Sequence, residues 1–249
     1  MTIVVGCVGQ KGGPGKSTMA RLLGVAIASA DATVQLAELD HTQKTLWDWS
    51  LNRDRRRAEA LEAMNEAAAK GKRPKKEITV PPRVPVKVYD RVDLAMADSG
   101  AFDFFVLDAP GRTGPEILQI AQASDILVMP CNPGGDDMRP TVRVFSELVR
   151  HGVSRNKILC VLNDIGNATE EDAARVFLGK NGANVLPVGL PGLVAYRSAL
   201  TAGLSPAEVT HTASREKALA VAAALLTEVI KVYGGSVESD EHRKSGEAA

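Results

Sequence analysis

Six short apolar runs alternate with amphipathic stretches along most of the chain, and this alternation narrows the available folds more than any other feature. The runs occupy 3–8, 33–37, 104–107, 126–129, 158–162 and 184–188. They are continuously hydrophobic, the pattern of strands buried on both faces of a parallel sheet. Between them, 17–29, 115–123, 140–151, 169–181, 194–202 and 214–233 carry apolar residues at helical spacing. Pro115 and Pro140 suit a first helical position, and Thr169 followed by Glu170, Glu171 and Asp172 suits an N-cap with an acidic first turn. Strand and helix repeated with right-handed crossovers predict an α/β fold, a doubly wound, mostly parallel sheet with helices on both faces. Ligands on such sheets gather at the carboxyl ends of the strands. The residues that end each apolar run are therefore the first place to look for chemistry.

Lys+Arg and Asp+Glu number 30 each, for a formal net charge of zero. Bulk charge thus draws the chain to neither nucleic acid nor an anionic membrane, and only local patches would do so. No apolar run reaches the ~18 residues of a membrane span, and the N-terminus lacks the basic and cleavage signals of a secretory peptide. Cys7, Cys131 and Cys160 stand apart in or beside strand-like runs, as buried thiols in a reducing cytosol would. Two regions break the rhythm. Residues 53–91 hold twelve Lys/Arg against six Asp/Glu. Leu61, Met64 and Ala68 predict an exposed helix from about 53 to 70, followed by a loop through Pro74, Pro81, Pro82 and Pro85. The tail 234–249, rich in Ser, Glu and Lys, reads as disordered. The expected organisation is one domain over 1–233 with 53–91 as a basic helical and loop insertion, then the tail.

The strongest local signal is the stretch 10–18, QKGGPGKST, between a buried strand and an amphipathic helix. Gly12, Gly13 and Gly15 let the backbone turn tightly and aim N–H groups at phosphate oxygens beside a helix N-terminus. Lys16 would reach the β- and γ-phosphates, Ser17 would ligate magnesium, and Thr18 completes the binding loop. Where a first glycine is usual stands Gln10, followed by Lys11, and Pro14 removes one N–H from the cradle. The string resembles the deviant Walker A motif of the ParA/MinD ATPase family. That resemblance implies a P-loop NTPase fold, ATP and Mg2+ as cofactors, and a dimer in which Lys11 meets the partner subunit's nucleotide. Such a cation would neutralise charge on the transferred phosphoryl group.

Other segments extend the likeness. LAELDHTQ at 36–43 resembles the family's switch segment, with Glu38 at its first acid and Asp40 at its second. The resemblance makes Asp40 the group that orients the attacking water and sits near magnesium; a strand-end capping Asp is the plainer reading. His41-Thr42-Gln43 replaces the usual Pro-Gln, which leaves the local turn open. Four apolar residues end in Asp108, the Walker B counterpart, placed to hold magnesium through water. Residues 124–130 resemble a core strand of the family and carry no chemistry. Asn163 matches the asparagine whose amide bonds the adenine edge, although a turn-forming Asn would also fit there. Residues 190–199 and 203–205 resemble the family's C-terminal pattern, with Leu193 where Arg is frequent. The likeness runs from residue 2 to about 232 and leaves 53–91 and the tail unmatched.

Within this family ATP closes a sandwich dimer and hydrolysis opens it. MinD-like members end in a basic membrane-binding helix; here 219–233 is apolar enough for a core, and an acidic tail follows. No membrane anchor is expected. The ParA-like branch remains: a weak Mg-dependent ATPase, cytoplasmic and nucleoid-associated, forming a homodimer with ATP and binding DNA nonspecifically. It would partition or position DNA (plasmid segregation included) or a protein cargo with a ParB-like or cargo-adaptor activating protein. Arg197, Arg215, Lys217 and Lys231, with the clusters at 53–57 and 70–76, are candidate phosphate contacts, and a solvated face fits each cluster equally. No helix-turn-helix precedes the loop, so operator binding is not expected. The alternative is an ATP-dependent ligase or kinase on the same fold, similar to dethiobiotin synthetase. It would need a second polar constellation for its substrate, and the sequence offers none.

Overall fold

The computed structural model of the chain describes residues 1–10, 13, 15–70, 78–111 and 114–246, with side chains through 232. Its strands are β1 (Ile3–Cys7), β2 (Val34–Glu38), β3 (Val86–Val88), β4 (Phe104–Asp108), β5 (Ile126–Cys131), β6 (Ile158–Ile165), β7 (Asn184–Val185) and β8 (Leu190–Pro191). The helices are α1 (Lys16–Ser29), α2 (Thr45–Ala69), α3 (Val92–Ser99), α4 (Pro115–Ala123), α5 (Gly135–Arg150), α6 (Ala168–Lys180), α7 (Val194–Thr201) and α8 (Thr212–Gly246). The strands lie in the order β3-β2-β4-β1-β5-β6-β7, with β8 on β6, and every pairing is parallel. The sheet grows outward on both sides of β1, so its crevice opens at the carboxyl end of that strand.

Period-2 alternation divides the core. Ile3, Val5 and Cys7 of β1 face a cluster with Met19, Leu22 and Leu23 of α1, Trp49 of α2, Tyr196 of α7 and Val221 and Leu225 of α8. Val4 faces the opposite cluster with Ala95 of α3, Ile120 of α4, Phe145 of α5 and Leu178 of α6. This is the doubly wound architecture that the apolar runs predict. All three cysteines are buried and free.

The largest departure lies in 53–91. Its helix begins at Thr45, eight residues before the expected start, because the Glu38 carboxylate at the end of β2 accepts from the backbone N–H of Leu46 (2.9 Å) and Trp47 (2.9 Å). A cap supplied from a neighbouring strand is invisible to a local reading of the helix. Arg53 is buried. Its guanidinium pairs with both oxygens of Glu208 (2.9 and 3.0 Å), donates to the carbonyls of Pro82 and Gly203, and lies 5.1 Å from the Trp49 ring centroid. Gly203, at φ +77°, sits so close to α2 that a Cβ there would come within 2.3 Å of the Arg53 backbone nitrogen. Arg57 donates to the Pro81 carbonyl. The 53–57 cluster is therefore not one exposed basic face. The segment also supplies the edge strand β3, hidden in the sequence by its short length and central Lys87. Residues 71–77, with most of the second basic cluster, lie outside the described residues.

Smaller differences have local causes. Pro115 opens α4 as expected, but α5 starts at Gly135, so Pro140 falls inside it; Asp136 and Asp137 occupy its first turn. Helix α6 is capped by Asn167, whose side chain accepts from Glu170 N–H (3.0 Å), rather than by Thr169. The backbone of α8 continues to Gly246, and no proline follows Pro206 to end it.

Removing one partner of a buried ion pair strands the other charge, at a cost of about 3–5 kcal/mol. Arg53→Ala should lower unfolding free energy by that amount in urea denaturation. Arg56→Ala, at an exposed arginine that donates to the Ala202 carbonyl, should cost about 1 kcal/mol or less. Similar losses for both would refute the assigned role of Arg53.

Candidate phosphate-binding site

The loop from β1 to α1 needs glycine for two reasons. Gly13 and Gly15 take φ of +82° and +102°, a region that L side chains rarely adopt. A Cβ on Gly15 would also lie 2.6 Å from the Asn163 amide nitrogen. Helix α1 starts here with no side-chain cap and no acid in its first turn, which leaves its N–H groups and dipole available to an anion. Lys16 is buried, with Nζ 3.5 Å from the Gln10 carbonyl. Desolvation lowers its pKa, while Asp108 and Asp40 act in the opposite direction. Lys11, Gly12 and Pro14 lie outside the described residues.

Cys7, Asp108 and Glu38 stand level at the ends of β1, β4 and β2. Asp108 accepts a hydrogen bond from Ser17 Oγ (2.6 Å), and its Oδ1, also buried, has no hydrogen-bond partner among the described residues. Burial pushes this carboxyl up to about 7, although the Ser17 hydrogen bond and the charges of Lys16 and Arg21 pull it down. A buried carboxylate oxygen beside a serine hydroxyl offers hard donors, the set that suits a magnesium-sized cation. Among the described residues no cluster of three His, Cys, Asp or Glu could hold a metal ion alone, so such a cation would depend on phosphate oxygens.

Asp40 bridges two loops. Its Oδ1 accepts from Thr42 N–H, Thr42 Oγ1 and Gln43 N–H, making the turn that the missing Pro-Gln left open. Its Oδ2 accepts from Gly111 N–H (3.0 Å), three residues beyond Asp108. Partial burial works against the charge, but these hydrogen bonds prevail and hold the carboxyl at about 2. Glu38, aligned with the switch segment's first acid, caps α2, and burial raises its pKa. Arg21 donates to the Thr45 carbonyl (2.6 Å) and lies 5.8 Å from the Trp49 ring. The sequence alone gives neither Arg21 nor Trp49 a role; an Arg one turn past the loop's Ser17 and a Trp in the first turns of α2 were the available signals.

Asn163 is buried within β6, and its amide donates to Asn132 Oδ1 at 3.4 Å. A cleft of about 170 Å³ runs from Gly13, Gly15 and Thr18 past Asn163 and Asp164 to Tyr196 and Arg197. Arg197, a candidate DNA contact in the sequence, therefore lies at this cleft. Arg215, Lys217 and Lys231 are exposed on α8 but spread over about 24 Å of helix, with Lys231 paired to Glu228. A larger cleft of about 780 Å³ opens between α3 and α4, lined in part by His41, Asp90, Arg91 and Glu116. Among the described residues no helix is long and apolar enough to cross a membrane.

The sheet order, the glycine loop and the carboxylate beside it are those of P-loop ATPases, and the loop sequence narrows the class to the ParA/MinD type with a deviant Walker A motif. The model of the family described as ATPase MipZ matches residues 1–143, and the chain belongs to that family. Among solved structures, the cell division ATPase MinD of Pyrococcus furiosus superposes with a TM-score of 0.65 at 20% identity, over 91% of this chain and 99% of that one. MinD of Pyrococcus horikoshii complexed with Mg-ADP gives 0.64 at 18%, over 93% and 96%. A plasmid partition protein (so named as a putative one) of Borrelia burgdorferi, bound to AMPPNP, gives 0.60 at 13%, over 95% and 100%. At these identities the likeness is one of fold. No curated protein sequence matches the chain.

Asp108 yields a pH prediction for the protein free of nucleotide and magnesium. A carboxyl raised from 3.8 to about 7 contributes stability that is complete below its unfolded value and is lost as pH rises through the folded one. Asp108→Asn is neutral at every pH and keeps an acceptor for Ser17. Its gain in stability over wild type should therefore be larger at pH 8 than at pH 5, by on the order of 2 kcal/mol. Equal changes in Tm at both pH values would contradict the burial of an ionisable charge there.

Proposed function

We propose that the chain is an ATP-dependent dimerisation switch of the ParA type: a weak Mg-dependent ATPase, cytoplasmic and nucleoid-associated, that positions a DNA or protein cargo. The observation that carries this reading is the Asp40 carboxylate, which joins the loop after β2 to the loop after β4 and acts on the charge of Lys16. A group that touches both loops can report whether a terminal phosphate is present. The Mg-ADP and AMPPNP held by two of the structural neighbours support ATP and Mg2+ as ligands here.

In this reading the backbone N–H groups of the glycine loop and α1 cradle the phosphates, Lys16 supplies a desolvated cation, and Thr18 lies at the entrance of the base cleft. Ser17 directly and Asp108 through water would hold Mg2+, which when bound neutralises phosphate charge. The Asn163 amide meets the adenine edge. Asp40 orients water rather than taking its proton: a carboxyl held at about 2 is a poor base at neutral pH. That mismatch accounts for slow turnover and leaves room for acceleration by a partner. Lys11 crosses to the other subunit's nucleotide. Arg215, Lys217 and Lys231 meet DNA phosphates, and a ParB-like or cargo-adaptor protein stimulates hydrolysis.

Lys16→Ala should remove measurable ATP binding in calorimetry; unchanged affinity refutes the cradle assignment. Asp40→Ala should slow hydrolysis by about tenfold or more while ATP-dependent dimerisation persists, and normal turnover would exclude the water-orienting role. Hydrolysis that ignores DNA but demands a small organic substrate, for which the 780 Å³ cleft has room, would overturn the switch in favour of metabolic chemistry.

Replacing Arg215, Lys217 and Lys231 together by Ala should weaken DNA binding for all sequences alike. It should also flatten the slope of log affinity against log salt, by about 0.9 for each phosphate that the variant no longer neutralises. If neither changes, α8 does not carry DNA binding.

A further inference from the structure

Arg21 is buried on α1, one turn beyond Ser17. Its guanidinium crosses to α2, where Nη2 donates to the Thr45 carbonyl at 2.6 Å beside the Trp49 ring. Thr45 is the first residue of α2, so the helix itself supplies that carbonyl with the N–H four residues on. The bond from Arg21 is a second one, not needed to satisfy the group. Arg21 Nε, also buried, has no hydrogen-bond partner among the described residues. Desolvation weighs against the guanidinium, and the charges of Asp108 and Glu38 hold it. A buried cation with an unmatched N–H opposes folding, and an unbranched apolar side chain would fill the place at less cost. Stability does not account for an arginine here, but its partners do. The N–H of the same peptide unit, on Leu46, donates to Glu38 (2.9 Å), so that unit is gripped at its oxygen from α1 and at its nitrogen from β2. The residue just before it, Lys44, takes φ +50°, a conformation that persists where the surroundings fix it. Its N–H donates to the Asp40 carbonyl (3.0 Å) and closes the turn that carries the Asp40 carboxylate.

We propose that Arg21 is a positioning residue for hydrolysis: it ties the first peptide unit of α2 to the phosphate-loop helix and so sets the distance from Asp40 to the nucleotide. The inference rests on the roles proposed above for the phosphate loop and Asp40, and adds the group that fixes their separation. Arg21 and Ser17 share α1, so the tether refers Asp40 to the helix whose N-terminus faces phosphate. Without it the turn keeps its own hydrogen bonds and its bond to Gly111, but Glu38 alone anchors the start of α2. Loop and helix start can then shift together against α1. A displacement of about 1 Å in a group that orients water costs up to about a hundredfold in rate. Binding through the loop N–H groups and Lys16 does not depend on that distance.

The test measures steady-state Mg-ATP hydrolysis, and calorimetric affinity for a non-hydrolysable ATP analogue, in the wild type, Arg21→Met, Asp40→Ala and the double variant. Methionine keeps an unbranched stem against Trp49 and removes the donor. Arg21→Met should lower kcat by about tenfold or more and leave analogue affinity within about twofold. Arg21→Lys, which keeps a donor and the charge, should recover most of the loss. In the Asp40→Ala background Arg21→Met should lower kcat by no more than about twofold further, because residues that act as a unit are not additive. Arg21→Gln, whose amide ends where Nε of Arg21 stands, takes the place of Arg21→Met if circular dichroism shows the latter unfolded. Unchanged kcat in a folded variant overturns the proposal and leaves the nucleotide site intact. So does a parallel fall in kcat and affinity, or a further loss of about tenfold in the double variant. A wild-type chain that hydrolyses no ATP overturns the functional reading and this inference with it.

Discussion

A carboxylate held away from water against the first turn of α1 is the constraint around which this molecule is arranged. Asp108 ends the strand beside β1, with a serine hydroxyl on one oxygen and, among the described residues, no partner on the other. The charges set around it, Lys16, Arg21 and Glu38, are themselves buried. Burying four ionisable groups together opposes folding unless each finds partners. Glu38 finds two N–H groups of α2, Arg21 finds the Thr45 carbonyl and the face of Trp49, and Lys16 finds Gln10. Among the described residues, one oxygen of Asp108 and Nε of Arg21 are left unmatched.

The same partners explain how the site joins the rest of the fold. Trp49 is flanked by Arg21 from the phosphate-loop helix and by Arg53 from its own helix, and Arg53 pairs with Glu208 ahead of α8. Helix α2 thus runs from the switch loop to the C-terminal helices through buried, hydrogen-bonded contacts. Asp40 closes the other side by tying its loop to the turn after β4. Membership of the MipZ family and the fold shared with MinD proteins agree with an ATPase site at the carboxyl ends of these strands.

The parallel sheet was legible because strands buried on both faces leave unbroken apolar runs, and the phosphate loop because its glycines and lysine have few other uses. What escaped the sequence was set by long-range partners. The start of α2 depends on Glu38, in a different element, and the burial of Arg53 depends on Glu208, far along the chain. Nothing local distinguishes Arg53 from Arg55 or Arg56, which are exposed. Strand β3 is short, lies at an edge and centres on Lys87, so it has no apolar signature. Arg197 looked like any exposed arginine until the fold placed it at the cleft. Asp108 and Asn163 stand out in the sequence because each ends or follows an apolar run, the position that a parallel sheet turns toward its ligand.

The central claim is that two copies enclose the triphosphate and that each lends Lys11 to its neighbour. It is tested most directly by light scattering of the wild type and Lys11→Ala with magnesium and a non-hydrolysable ATP analogue. The account predicts a dimer for the wild type only with the analogue bound, and a monomer that still binds the analogue for Lys11→Ala. A wild-type chain that remains monomeric when saturated with the analogue would contradict it.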